Sequence, residues 1–145
     1  SLLTDPKRCL TVLTTLAEDL PVTETLQLAN GLKALNLSRG PVVVNRLYPP
    51  RLSAGLPKVG FDELLRSDAA LSDPLLGPVL RAARLHRQRA QLNEHHVERL
   101  RRELLLPQLH LPYLFRESFG KSELDELADR LEGQVEALAV AGRSV

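Results

Sequence analysis

Pro41-Val42-Val43-Val44-Asn45-Arg46-Leu47 is the stretch on which the fold turns. Three consecutive valines leave no polar position for either face of a strand, and burial on both faces is typical of parallel sheets. The run closes on an asparagine. A strand that delivers a polar side chain at its carboxyl end is how an open α/β sheet presents groups to a ligand. Upstream, Arg8 to Leu16 is apolar and β-branched, too short for a helix and suited to a second buried strand. Between the two lies Ala17-Glu-Asp-Leu-Pro-Val-Thr-Glu-Thr-Leu-Gln-Leu28. Pro21 sits where a first helical turn tolerates proline. Leu26, Leu28, Ala29, Leu32 and Leu35 then follow a helical period, which predicts a helix over Thr23 to Leu35 with Asn36 to Gly40 as its exit. Strand, helix, strand in so short a span is a βαβ unit with a right-handed crossover expected.

Further along, Tyr48 to Gly60 is rich in proline and glycine and reads as a surface loop near the end of the valine strand. Phe61 to Arg66 fits one short helical turn. Ser72-Asp-Pro74 reads as a helix start, a capping residue ahead of proline. From Val79 to Leu105 the chain has no Gly or Pro and reads as one long helix, with Ala83, Ala90, Val97 and Leu104 as its apolar seam and Pro107 as its stop. Gln108 to Phe115 reads as a third strand running into a turn at Pro112. Lys121 to Ala139 closes the chain as a helix. Ser122 is its expected N-cap, with Glu123, Asp125 and Glu126 placed to favour the helix dipole. Its expected buried face is Leu124, Leu127, Ala128, Leu131, Val135 and Leu138. The fold class is therefore α/β: one domain over residues 1–145, a partial parallel sheet of three strands with flanking helices, less than a whole doubly wound sheet.

Composition narrows the function. With 145 residues the chain is long enough to bury a core of its own. Lys+Arg 19 against Asp+Glu 18 gives a net charge of +1, which provides no overall footprint for nucleic acid or an acidic membrane. The lone Cys9 cannot form an internal disulfide; it fits a reducing compartment and, within an apolar strand, an inert core role. No apolar run approaches the ~20 residues a membrane span needs, and no signal-peptide pattern opens the chain. The sequence starts at Ser1 and holds no methionine, so it is read as a piece of a larger protein.

Five short motifs in order carry a resemblance. Glu18, Glu24-Thr25, Val43-Val44-Asn45, Leu111-Pro112 and Glu117-Ser-Phe-Gly120 follow one another as the corresponding motifs do in the C-terminal half of the ArsA-type ATPases, the arsenite-pump and tail-anchored-protein-targeting family. The similarity covers essentially the whole chain, and its specificity lies in order and spacing. It implies the C-terminal part of a P-loop NTPase-like doubly wound fold, ATP as ligand, a cytoplasmic setting and a homo-oligomer. Asn45 would hydrogen-bond the adenine ring, and the Pro112-Tyr113-Leu114 turn would pack on it. Glu18 and Glu24 would lie near the dimer interface that sandwiches the nucleotides. The residue chemistry agrees in part: an amide offers the donor and acceptor that adenine's N6 and N7 edge requires, and a proline-led turn with a tyrosine offers an apolar surface for the ring. Simpler roles remain open, because an asparagine after a strand is also a turn residue. Glu18 and Glu24 also suit a helix N-terminus as plain dipole partners.

Departures from the family are equally clear. The Cys-x-x-Cys pair by which some members bind zinc is replaced by Leu80-Arg-Ala-Ala-Arg-Leu-His86, so no zinc is expected. The Gly-rich phosphate loop with its lysine is missing. Phosphate chemistry and the magnesium ion are then assigned to an N-terminal half, and this chain alone is not expected to hydrolyse ATP. His86, His95 and His96 lack the i, i+4 spacing of a metal pair, and no metal site is expected. Arg81, Arg84, Arg87, Arg89, Arg99, Arg101 and Arg102 are interrupted by Glu94, Glu98 and Glu103, the pattern of an exposed helix laced with salt bridges.

Two functions follow. One is the adenine-recognition and dimer-contact half of an ATPase that couples hydrolysis to membrane-protein targeting or anion export, partnered by its N-terminal half and by a membrane protein or transporter. The other is a non-catalytic interaction domain that binds a protein partner through the long basic helix. Read as a fragment without its sheet neighbours, the isolated domain has an open sheet edge and an uncovered apolar face, which predict self-association.

Overall fold

A computed structural model of the chain describes residues 2–49 and 58–141. Strands β1 (Thr11–Leu16), β2 (Arg39–Leu47) and β3 (Gln108–Pro112) form a three-stranded sheet in the order β1-β2-β3, parallel throughout. Thr15 lies opposite Val44, and Val44 opposite His110. That register sends Leu13, Thr15, Val42 and Val44 to one face, where all four are buried. Two helices cover this face. Helix α1 (Asp19–Ala34) contributes Val22 and Ala29, and α4 (Gly77–Glu103) contributes Leu100 and, at its C-cap, Leu104. Thr25 is buried among them, and its hydroxyl donates to the Pro21 carbonyl at 2.8 Å, so no polar group is left unpaired there.

The opposite face is only partly covered. Val12 is 50% exposed and Thr14 is open, while Leu109 is buried near α5 (Lys121–Ala141), which packs on β3. The Gln134 side chain fastens α5 to β3. It accepts from the His110 N–H at 2.7 Å and donates to the His110 carbonyl at 2.9 Å, occupying both edge groups of that residue in place of a fourth strand.

Several boundaries differ from the sequence expectation for local reasons. Helix α1 begins at Asp19, four residues before Thr23, because the missing N–H of Pro21 costs nothing in a first turn. Asn36, at φ 55°, takes the left-handed conformation that ends the helix. Cys9 lies ahead of β1, half-buried, and not inside a strand. Phe61 to Arg66 falls mostly within α2 (Lys58–Leu64), and most of the expected Tyr48–Gly60 loop lies outside the described residues. Ser72 ends α3 (Asp68–Ser72) and does not cap α4, whose N-cap Leu76 has no side-chain cap; Asp73 instead holds the turn that leads into the helix. Its carboxylate accepts from the Leu75 and Leu76 N–H groups at 2.8 and 2.7 Å, which holds its pKa below the ordinary value. Gly77 then opens α4, where any Cβ would collide with the Leu71 carbonyl.

The expected seam of α4 is divided between two clusters. Ala83 packs with Leu65 and Leu80 in a small cluster over α3, while Val97 and Leu104 join the main core beside Leu100. The expected buried face of α5 is a correction: the helix has no buried residue, and Leu124 is 57% exposed. It lies along β3 with no further layer above it, so Leu127 and Leu131 are only half-buried and Leu124, Val135 and Leu138 stay exposed. Ser122 is not its N-cap either. Glu123 accepts from the Gly120 N–H at 2.8 Å, which lowers its pKa, and Ser122 supports it by donating to the same carboxylate. No helix among the described residues is long and apolar enough to cross a membrane.

Candidate functional site

The ends of β1 and β2 meet at a cleft of about 450 Å³, walled by the start of α1, the middle of α4 and the segment after β3. Its position follows from the register. Leu16 lies opposite Asn45 at the carboxyl ends of both strands, and the β2–β3 pairing becomes irregular between Val44 and Leu47. Within that irregularity Arg46 adopts φ 58°, and its N–H donates to the Asn45 Oδ1 at 2.8 Å. A non-glycine residue in this region stores local strain and re-aims the side chains around it.

Asn93 of α4 fixes the floor. Its Oδ1 accepts from the Tyr48 N–H at 2.9 Å and its Nδ2 donates to the Ala17 carbonyl at 3.0 Å, tying the exits of β1 and β2 to one side chain. The third strand is fastened similarly, because the Tyr113 N–H donates to the Leu47 carbonyl at 2.7 Å. Tyr48 and Tyr113, the chain's two tyrosines, thereby stack with centroids 5.3 Å apart and 16° between planes. Phe115 and His86 complete a four-ring cluster. The main core holds no aromatic residue, so the rings concentrate at this end of the sheet.

Two guanidinium groups lie over these rings. Arg46 sits 5.2 Å from the Tyr113 centroid and Arg89 5.4 Å from that of Tyr48, and Arg89 also donates to the Tyr48 hydroxyl at 2.5 Å. Glu18, the N-cap residue of α1, and Asp19 line the opposite wall, with Asp19 engaged by Arg99 at 3.0 Å. His96 lines the cleft too, and its Nδ1 is buried without a hydrogen-bond partner among the described residues.

Asn45, Tyr113 and Glu18 thus share one cleft. Pro112 closes β3 opposite Leu47, and Leu114 is half-buried just beyond; neither lines the cleft. Glu24 lies on the exposed side of α1, away from it. Sequence reading missed Tyr48, Arg89 and Asn93 as site residues. The available signal was Arg89, Asn93 and His96 at i, i+4 and i+7, one polar face of a helix. Among the described residues no group of three or more His, Cys, Asp or Glu side chains could hold a metal ion.

No protein-family model matches the sequence, and no curated protein is significantly similar to it.

Proposed function

We propose that this cleft is the adenine half-site of an ATPase of the ArsA type, to which the chain contributes base recognition and dimer contacts while another segment supplies the phosphate loop and magnesium. The supporting observation is the convergence of Asn45 and Tyr113, delivered from adjacent parallel strands, on one cleft at the carboxyl end of the sheet. Asn45 Oδ1 spends one lone pair on the Arg46 N–H, and Nδ2 makes no hydrogen bond among the described residues. The amide therefore keeps both an acceptor and a donor for the N6 and N7 edge of adenine. Tyr113 supplies the ring surface. A base that stacks there takes the place the Arg46 guanidinium occupies in the free protein. The cleft volume lies within the range of about 300–1,000 Å³ common for small-molecule sites.

This reading carries with it a cytoplasmic, homo-oligomeric protein serving membrane-protein targeting or anion export. The alternative, docking through the basic face of α4, has less support because much of that charge is spent locally. Arg87 pairs with Asp62, Arg99 with Asp19 and Glu103, and Arg101 with Glu98.

Titration calorimetry with ATP and ADP tests the proposal. Binding of either nucleotide that weakens about tenfold in Asn45→Ala, the loss of one or two hydrogen bonds, supports it. Binding unchanged by the substitution, or no binding at all, counts against it.

A further inference from the structure

We infer that Arg46 and Arg89 form an anion-recognition pair, so that the cleft selects the phosphorylated form of its ligand over the bare nucleoside. This rests on reading the cleft as a nucleotide site and adds the group that selects within that class.

Of the arginines without a salt bridge, Arg46 and Arg89 are the two that line the cleft. Arg87, Arg99 and Arg101 each have a carboxylate partner. Arg46 and Arg89 have none, although every Asp and Glu of the chain lies within the described residues. Each instead lies over a tyrosine, Arg46 over Tyr113 and Arg89 over Tyr48, and both line the same cleft. A cation–π contact positions a guanidinium without neutralising it. Neither charge is therefore neutralised by a carboxylate, and although Arg89 spends one N–H on the Tyr48 hydroxyl, both guanidinium groups keep donors for a phosphate.

Backbone geometry points the same way. Arg46 is one of two non-glycine residues at positive φ among the described residues, and it falls where the β2–β3 ladder breaks. A strained residue at a strand irregularity is a recurrent way of aiming a side chain at a ligand. Glu18, at the N-cap of α1, lines the cleft with no salt-bridge partner among the described residues, while Asp19 is paired with Arg99, so the α1 wall carries the Glu18 carboxylate. A ligand with one anionic end is thereby oriented, the anion toward β2 and α4. When a base occupies Tyr113, the displaced Arg46 guanidinium is free to reach that anion.

The test compares adenosine, ATP and tripolyphosphate on the wild-type chain and on Arg46→Gly/Arg89→Gln. Glycine is at ease at positive φ, so the first change removes the charge and relieves strain together, and folding is preserved. Urea denaturation of both proteins checks this. Calorimetry is expected to show ATP binding about tenfold or more tighter than adenosine, with the ratio of the two affinities reduced to about twofold or less in the double variant. Equal affinities for ATP and adenosine, or an advantage that survives the double variant, would overturn the anion pair and leave the adenine reading intact. If neither adenine compound binds, the adenine reading fails and tripolyphosphate decides the pair. With no tryptophan and both tyrosines in the cluster, protein fluorescence reports this site directly. A tripolyphosphate-induced change abolished by the double variant upholds the pair; no change overturns it.

Discussion

The side-chain oxygen of Asn93 accepts the backbone N–H of Tyr48 at 2.9 Å, and the same amide reaches the Ala17 carbonyl with its nitrogen at 3.0 Å. One residue in the middle of a long helix thus holds the exits of two parallel strands at the spacing that forms the cleft. Replacing it with alanine leaves a donor and an acceptor unpaired in a partly buried place. Asn93→Ala is expected to lose about 1–3 kcal/mol of stability, read from urea unfolding. Asn93→Asp keeps the acceptor for Tyr48 and loses only the donor to Ala17, so it should fall between wild type and alanine.

Gln134 plays the matching part at the far edge, where its amide occupies both backbone groups of His110. Gln134→Ala should speed hydrogen exchange of the His110 amide about tenfold, the effect of losing one modest hydrogen bond. It also reopens an edge strand, so light scattering should show self-association at lower protein concentration than for wild type. An unchanged exchange rate would mean that α5 is held by other contacts.

The two long helices also differ in what their leucines do. Leu100 of α4 is fully buried, and Leu100→Ala should cost about 2–5 kcal/mol. Leu124 of α5 is 57% exposed, and Leu124→Ala should stay within about 0.5 kcal/mol. Comparable losses at both positions would mean that α5 buries its leucine stripe after all.

How much of this was legible in the sequence depended on whether the information is local. The valines of β2 and the helical period of α1 announced themselves, since burial on both faces and an apolar stripe are local patterns. The fate of α5 was not legible. Leu124, Leu127 and Leu131 make a convincing stripe, but a stripe records only that one face is apolar and not whether a layer exists to receive it. Asn45 could be singled out because strand ends in parallel sheets face ligands, and Tyr113 through the family resemblance of the turn that holds it. Asn93 showed only as part of a polar helix face with Arg89 and His96; its role could not be read, because its two hydrogen bonds span 45 and 76 residues of chain.

Acid should act first in the turns that lead into α4 and α5. The Asp73 carboxylate is held below its ordinary value of 3.8 mainly by the Leu76 and Leu75 N–H groups, and that of Glu123 below 4.5 mainly by the Gly120 N–H. A folded-state pKa below the unfolded one means stabilisation that is complete above those ordinary values and lost as pH falls through the lowered ones. Hydrogen exchange at Leu75, Leu76 and Gly120 should therefore lose protection below about pH 4, ahead of the core amides of Val42 and Val44. Asp73→Ala should remove the pH dependence at Leu75 and Leu76 while leaving Gly120 unaffected.

The adenine half-site is tested most directly by nuclear magnetic resonance of the isotope-labelled chain during titration with ADP. The Asn45 side-chain amide and the Tyr113 ring should shift together and saturate on one binding curve, with Leu124 and the rest of α5 unmoved. Shifts that bypass Asn45 and Tyr113, or none at nucleotide concentrations well into the millimolar range where even weak half-sites fill, would contradict adenine recognition at this cleft.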